Sequence, residues 1–172
     1  RSQHLQQMSN GDPQLVARLA DLLPAGRVIA TASLGDIAPA LKTLREQGVS
    51  LLGLVGGDGT LSGTLTELIE TWPRPWPAIL VTRGGTVNTI SAALGARGSP
   101  AASLQRLLRP DSNPLETVRE ALRVEAERAP ARYGLIFGNG LATRWLQAYY
   151  AEPEPGVKAA SRVLAASNAA GG

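Results

Sequence analysis

The chain has no cysteine and a single histidine, His4, in 172 residues, which excludes disulfides, thiolate metal sites and histidine-rich metal clusters. The missing thiols fit a reducing compartment. Aromatic residues make up only 4%, so a core must be built from Leu, Val, Ile and Ala, and the stacking platforms of single-strand nucleic-acid binders are lacking. An excess of charge is lacking too: 17 Lys and Arg oppose 14 Asp and Glu for a net +3. The arginines are scattered rather than clustered, which argues against a nucleic-acid partner. No apolar run reaches the roughly 18 residues of a membrane-spanning helix. Neither an initiating methionine nor a signal-like start is present, and the chain reads as a piece whose beginning lies elsewhere.

What is present is an ordinary globular mixture, 44% hydrophobic and 18% charged, long enough for one good core or for one domain and the start of another. Residues 1–11, with His4 among them, read as a polar, solvated leader. Leu15, Val16, Leu19, Leu22 and Leu23 fall at helical spacing behind Asp12 as a cap and Pro13 at the first helical position. RVIAT at 27–31 is a short strand, and a helix follows from Asp36 to about Gln47, stopped by Gly48. Residues 50–55 form a continuously apolar strand of the kind found in parallel sheets covered on both faces. A helix from about Leu61 to Glu70, an extended WPRPWP connection and a strand over 76–82 come next. Helices through about Leu94 and behind Ser99 complete the first texture.

The order is that of an α/β fold, a layered parallel sheet with flanking helices. A boundary falls in the Pro110–Pro114 stretch, dividing an α/β nucleotide-binding domain over 1–112 from the beginning of a second, β-rich domain over 113–172. In the second part RYGLIFG at 132–138 is a strand, and helical patterns run over 141–150 and 157–166. Trp145, Tyr149 and Tyr150 read as interdomain core.

The chemistry lies in two glycine-rich turns. The strand LLGLV runs into Gly56, Gly57, Asp58, Gly59 and Thr60, and the next strand runs into Gly84, Gly85, Thr86, Val87 and Asn88. A strand that ends in glycines and feeds a helix leaves unpaired N–H groups around a concavity at the positive end of a helix dipole. Polyphosphate is the natural guest, with Thr60 adding a hydroxyl donor. An aspartate would repel phosphate there, so either Mg²⁺ or a hydroxyl nucleophile mediates, or Asp58 is simply a helix cap. Two such turns on adjacent parallel strands open one crevice at the carboxyl end of the sheet, where α/β proteins bind ligands. Neither GxxxxGK[ST] nor, at the first turn, GxGxxG is present.

GGDGT at 56–60, GGTVN at 84–88, and Thr31 with Gly35 and Asp36 in TASLGD stand in order along the chain, and in this they resemble the catalytic domain of the diacylglycerol kinase and sphingosine kinase superfamily of lipid kinases. The resemblance covers about residues 1–150. Arg1-Ser2 resembles the residues just after the Asn-Pro of the family's first strand, which would place that first strand before Arg1. By this resemblance ATP phosphates lie over Gly56, Gly57, Gly59 and Thr60 and against Gly84, Gly85 and Thr86, with Thr31 and Asn88 nearby. Asp58 is then the catalytic residue that orients Mg²⁺ or the acceptor hydroxyl. The acceptor is a diacylglycerol- or sphingoid-type lipid alcohol docked between two domains, which implies a cytoplasmic enzyme with peripheral contact at the inner membrane face.

The pattern departs from the family at two places. Ser62-Gly63 stands where the family continues with Asn-Glu, removing a carboxylate one helical turn into the site, and Arg83 stands where proline is common. Arg83 suits either a phosphate contact or solvent. Two other readings stay open: a pseudo-kinase or nucleotide-binding regulatory module, motivated by Ser62-Gly63, and a small-molecule kinase of the NAD kinase type, which shares GGDGT but which the GGTVN turn argues against.

Overall fold

The computed structural model describes residues 3–8, 13–85 and 88–151. Strand β1 (Gln3–Met8) is followed by helix α1 (Pro13–Ala20), strand β2 (Val28–Thr31), a single 3-10 turn (Leu34–Asp36) and helix α2 (Ile37–Glu46). Strand β3 (Leu51–Gly56) feeds helix α3 (Asp58–Thr71), and strand β4 (Ala78–Arg83) feeds helices α4 (Thr89–Ala93) and α5 (Pro100–Leu108). Strands β5 (Leu122–Ala126) and β6 (Ala129–Gly134) form an antiparallel hairpin, and helix α6 (Leu141–Ala151) comes last. The Asp12 cap, Thr86 and the helix expected over 157–166 lie outside the described residues.

The protein is an α/β fold with a wholly parallel four-stranded sheet in the order β2-β1-β3-β4. Alternation along β3 divides the core. Leu52 and Leu54 face α2 and α3, packing with Ile37, Leu41, Leu44, Leu61, Leu65 and Leu68. Val55 faces the other way, into a cluster with Leu19, Leu23 and Leu104 from α1, its following turn and α5. Helices therefore cover both faces, as the unbroken apolar run of β3 requires. The Ser99 hydroxyl caps α5 by accepting from the Ala102 N–H at 3.2 Å, with Pro100 in the first turn, as the sequence predicts.

Two expectations are corrected. Residues 3–8 are not a leader but a strand between β2 and β3, with Leu5 across from both Val28 and Gly53. The sequence QHLQQM carries no apolar pattern; pairing on both sides places it by backbone hydrogen bonds, which no side-chain periodicity reports. The solvation expected of His4 concerns a side chain outside the described residues. The strand expected over 132–138 lies instead at Ala129–Gly134, because the two-residue connection Glu127-Arg128 pairs it with β5 from Ala126↔Ala129 onward. Ile136 and Phe137, counted in that strand, are more than half exposed.

The chain divides after Leu135 into two compact units. In the second, Trp145 stacks on Tyr149 with ring centroids 5.5 Å apart. Tyr150 is 70% exposed, one further residue turning it about 100° off the Trp145–Tyr149 face. In the WPRPWP connection Trp72 is buried and its carbonyl accepts from Trp76 Nε1 at 2.9 Å, while the Arg74 guanidinium lies 4.3 Å over the Trp76 ring. Among the described residues no helix is long and apolar enough to cross a membrane.

Candidate functional site

Parallel pairing of β3 and β4 carries Gly56 level with Arg83, so both glycine turns leave the sheet side by side, about 4.8 Å apart by ordinary strand spacing. They interlock through their backbones. A Cβ on Gly84 would stand 2.6 Å from the Gly56 nitrogen, one on Gly57 would stand 3.2 Å from Gly85 Cα, and one on Gly85 would overlap Gly57 Cα. Gly56 is closed in by its own turn, where a Cβ would meet the Thr60 side chain at 2.5 Å. Gly57, Gly84 and Gly85 are thus closed in by the meeting of the turns, and Gly56 by the Thr60 side chain of its own turn.

Two side chains complete the junction. Asn88 adopts the left-handed conformation, φ 54° and ψ 40°, in which Asn is tolerated better than most residues. Its Oδ1 accepts from the Gly84 N–H at 3.1 Å and the Gly85 N–H at 2.8 Å, its Nδ2 donates to the Gly85 carbonyl, and its own carbonyl accepts from the Ser91 hydroxyl at 3.2 Å. The Gly84 and Gly85 N–H groups, expected to face phosphate, therefore donate to Asn88. Asp58 reaches across to the second turn, its Oδ2 accepting from the Thr89 N–H at 2.9 Å and its Oδ1 from the Ile90 N–H at 3.0 Å.

The first turn keeps its donors differently. Gly57 is the N-cap of α3 and has no side chain with which to cap it, and among the described residues no side chain caps the first N–H groups of this 14-residue helix. Gly59, in that first turn, is exposed, and a Cβ there would meet nothing within 4 Å. Thr31 ends β2 level with Met8, buried at 4%. One strand separates it from β3, so it stands about 10 Å from the first glycine turn along the same carboxyl edge. Arg83 is exposed at the end of β4.

Asp36 closes the turn after β2, its Oδ2 accepting from the Ser33 N–H at 2.8 Å and the Ala32 N–H at 2.9 Å. The Ser33 N–H, then the Ala32 N–H and the Ser33 hydroxyl, hold its carboxyl below the ordinary 3.8. The motif TASLGD thus works locally as a stapled loop.

Ser62 and Gly63 have packing roles. The Ser62 hydroxyl donates to the Tyr133 carbonyl at 2.8 Å and the Thr66 hydroxyl accepts from the Tyr133 N–H at 3.0 Å, so α3 carries the β5–β6 hairpin on two hydroxyls. A Cβ on Gly63 would lie 3.0 Å from Leu34 and 3.1 Å from Ile37, which seat the neighbouring turn and α2 on α3. The Ser-x-x-x-Thr spacing signals that both hydroxyls share one helix face, but nothing in sequence names Tyr133 as their partner.

Mg²⁺ binds through one or two carboxylates plus substrate phosphates rather than in an all-protein cage. Asp58 is the carboxylate of the two turns; among the described residues no group of three acidic, histidine or cysteine side chains converges.

Residues 7–119 match the family model described as the diacylglycerol kinase catalytic domain. A solved diacylglycerol kinase from Bacillus anthracis str. Sterne is 23% identical, with a TM-score of 0.49, and the match covers 62% of this chain and 38% of that one. Two further structures from the same organism give the same identity and TM-score over 41% and 38% of their chains. The chain thus spans about two fifths of the length of the solved structures that it matches. Curated proteins provide no match. With the family model covering well over half of the residues, both glycine turns among them, the chain belongs to the family of the diacylglycerol kinase catalytic domain.

Proposed function

We propose that this chain is the nucleotide-binding part of a lipid kinase that transfers the γ-phosphoryl group of ATP to a lipid hydroxyl of the diacylglycerol or sphingoid type. Family membership supports the kinase class. The observation that carries the nucleotide site is Gly59. Gly56, Gly57, Gly84 and Gly85 are accounted for by the contacts of the turns themselves. Gly59 is not: it has open space where a Cβ would go and no positive φ. Glycine in a helix is less favourable than alanine by roughly 0.5–1 kcal/mol, so its use here points to close approach from outside. Phosphate oxygens meeting the first N–H groups of α3, at Asp58, Gly59 and Thr60, are such an approach.

In this reading Gly56, Gly57, Gly59 and Thr60 form the floor of the phosphate cleft. Gly84, Gly85 and Asn88 form its wall, and Thr31 lies on the same edge. Mg²⁺, when bound, would supply charge neutralisation of the phosphates. Phosphoryl transfer needs chiefly positioning and charge stabilisation, which backbone donors held rigidly by glycine contacts supply. Residues from 113 onward lead into a second, β-rich domain, with the lipid alcohol between the two and the enzyme at the cytoplasmic membrane face.

The test is ATP- and Mg²⁺-dependent labelling of diacylglycerol or a sphingoid base by the full-length protein; no transfer to either lipid overturns the proposal. ATP binding without transfer would favour the regulatory-module reading, whose support from Ser62 and Gly63 is reduced by their packing roles. Phosphorylation of NAD would favour the small-molecule kinase reading.

A further inference from the structure

We infer that Asp58 is a positioning residue that locks the second glycine turn onto the first, and that the site needs its hydrogen-bond acceptance rather than a negative charge beside the phosphates. The inference rests on the kinase reading above. It replaces the catalytic role expected for Asp58 with one exerted through α4.

Helix α4 has five residues, too few to hold itself together. Its own N-cap, Asn88, makes no side-chain cap bond to it, since that side chain is turned back onto Gly84 and Gly85. The first N–H groups of α4 would therefore be orphans. Asp58 takes up two of them, Thr89 and Ile90, from 31 and 32 residues away in sequence. Both carboxylate oxygens are used, one for each N–H. Their acceptance spreads the charge that otherwise makes an aspartate an odd neighbour for polyphosphate.

The consequence for the site comes from the glycine contacts. With Gly57 and Gly85 in backbone contact, anything that releases α4 from Asp58 loosens the second turn against the first turn of α3. A single amide oxygen is able to do the same work: Asn88 Oδ1 accepts two successive N–H groups at 3.1 and 2.8 Å in this same structure. Asn is also as good a helix cap as Asp. Asp58→Asn thus preserves the junction while removing the charge, and Asp58→Ala removes both.

The experiment is a comparison of these two variants in the full-length protein, reading kcat and KM for ATP together with amide hydrogen exchange at Thr89 and Ile90. Asp58→Ala is expected to accelerate exchange at both amides and to lower kcat/KM by about 10- to 100-fold, largely through KM, as for residues acting behind a ligand-contacting group. Asp58→Asn is expected to keep exchange slow and to stay within about tenfold of the parent, because its cap is retained. Activity that tracks exchange in both variants supports the inference. Loss of about 10²–10⁴ in kcat in Asp58→Asn, the size of a lost acid–base group, with exchange at Thr89 and Ile90 still slow overturns it. Unchanged exchange in Asp58→Ala also overturns it, and if Asp58→Ala does not fold, Asp58→Asn alone decides by the same criteria. If the parent protein transfers no phosphate, the kinase reading fails, while the exchange measurement still decides whether Asp58 holds α4.

Discussion

Gly57 and Gly85 meet through their backbones: a Cβ on Gly57 would stand 3.2 Å from Gly85 Cα. The turn after β3 and the turn after β4 are therefore a single structural unit. Its glycines fall into two classes, those that the unit needs in order to close and one, Gly59, that it does not.

That division gives the first prediction. Gly84→Ala puts a Cβ 2.6 Å from the Gly56 nitrogen and is expected to destabilise the protein by about 1–3 kcal/mol, the range for overpacking. Gly59→Ala meets open space and is expected to leave stability unchanged or raise it by roughly 0.5–1 kcal/mol, while weakening ATP binding. Urea unfolding and nucleotide titration of both variants check this. An alanine at 59 that leaves ATP affinity intact would remove the main support for phosphate at the start of α3.

Asn88 supplies a test of the second turn. Alanine there loses the acceptor for Gly84 and Gly85 and is forced into a left-handed backbone, which is unfavourable by roughly 1–2 kcal/mol for an ordinary residue. Asn88→Gly loses the same hydrogen bonds without that strain. Thermal unfolding should rank the parent above Asn88→Gly and Asn88→Gly above Asn88→Ala; equal midpoints for the two variants would contradict the left-handed geometry.

Thr64 is 0% exposed, and its hydroxyl has no hydrogen-bond partner among the described residues. A buried hydroxyl left unpaired is unfavourable by about 1–3 kcal/mol. Thr64→Val keeps the branched shape and removes the polar atom, so urea unfolding should show a gain on the order of 1 kcal/mol. A loss of stability would mean that the hydroxyl is satisfied.

The acid side of the stability curve should carry the mark of Asp36. Its folded pKa lies below its ordinary 3.8 because the Ser33 and Ala32 N–H groups favour the carboxylate. The stabilisation it provides is therefore fully present above the unfolded value and is lost as pH falls through the lowered folded value. In Asp36→Asn that part of the acid dependence should disappear, leaving a flatter unfolding curve below about pH 4. A curve as steep as the parent's would assign the acid dependence to other carboxylates.

The helical spacing of Leu15, Leu19, Leu41, Leu44, Leu61, Leu65 and Leu68 was enough to read most helices, and the unbroken apolar run of β3 was enough to read a parallel sheet covered on both faces. Glycines after two strands were enough to place the crevice at the carboxyl end. β1 was not legible, because its place between β2 and β3 depends on backbone pairing and its residues are mostly polar. The start of β6 was not legible either, because it depends on the partner strand rather than on its own pattern.

At the site itself, sequence alone determined which residues gather: GGDGT, GGTVN and TASLGD each lie within a few positions of a strand end, and in a parallel sheet those ends share one edge. Only the tertiary structure decided what each one does there. Whether a glycine serves a ligand or a neighbouring turn depends on what stands where its Cβ would be, which separates Gly59 from Gly56, Gly57, Gly84 and Gly85. The partners of Asp58 lie 31 and 32 residues further along the chain. No local pattern encodes a contact that exists only once β3 and β4 have paired, and so Asp58, conspicuous from the start as a carboxylate among glycines, reads in three dimensions as the cap of another helix.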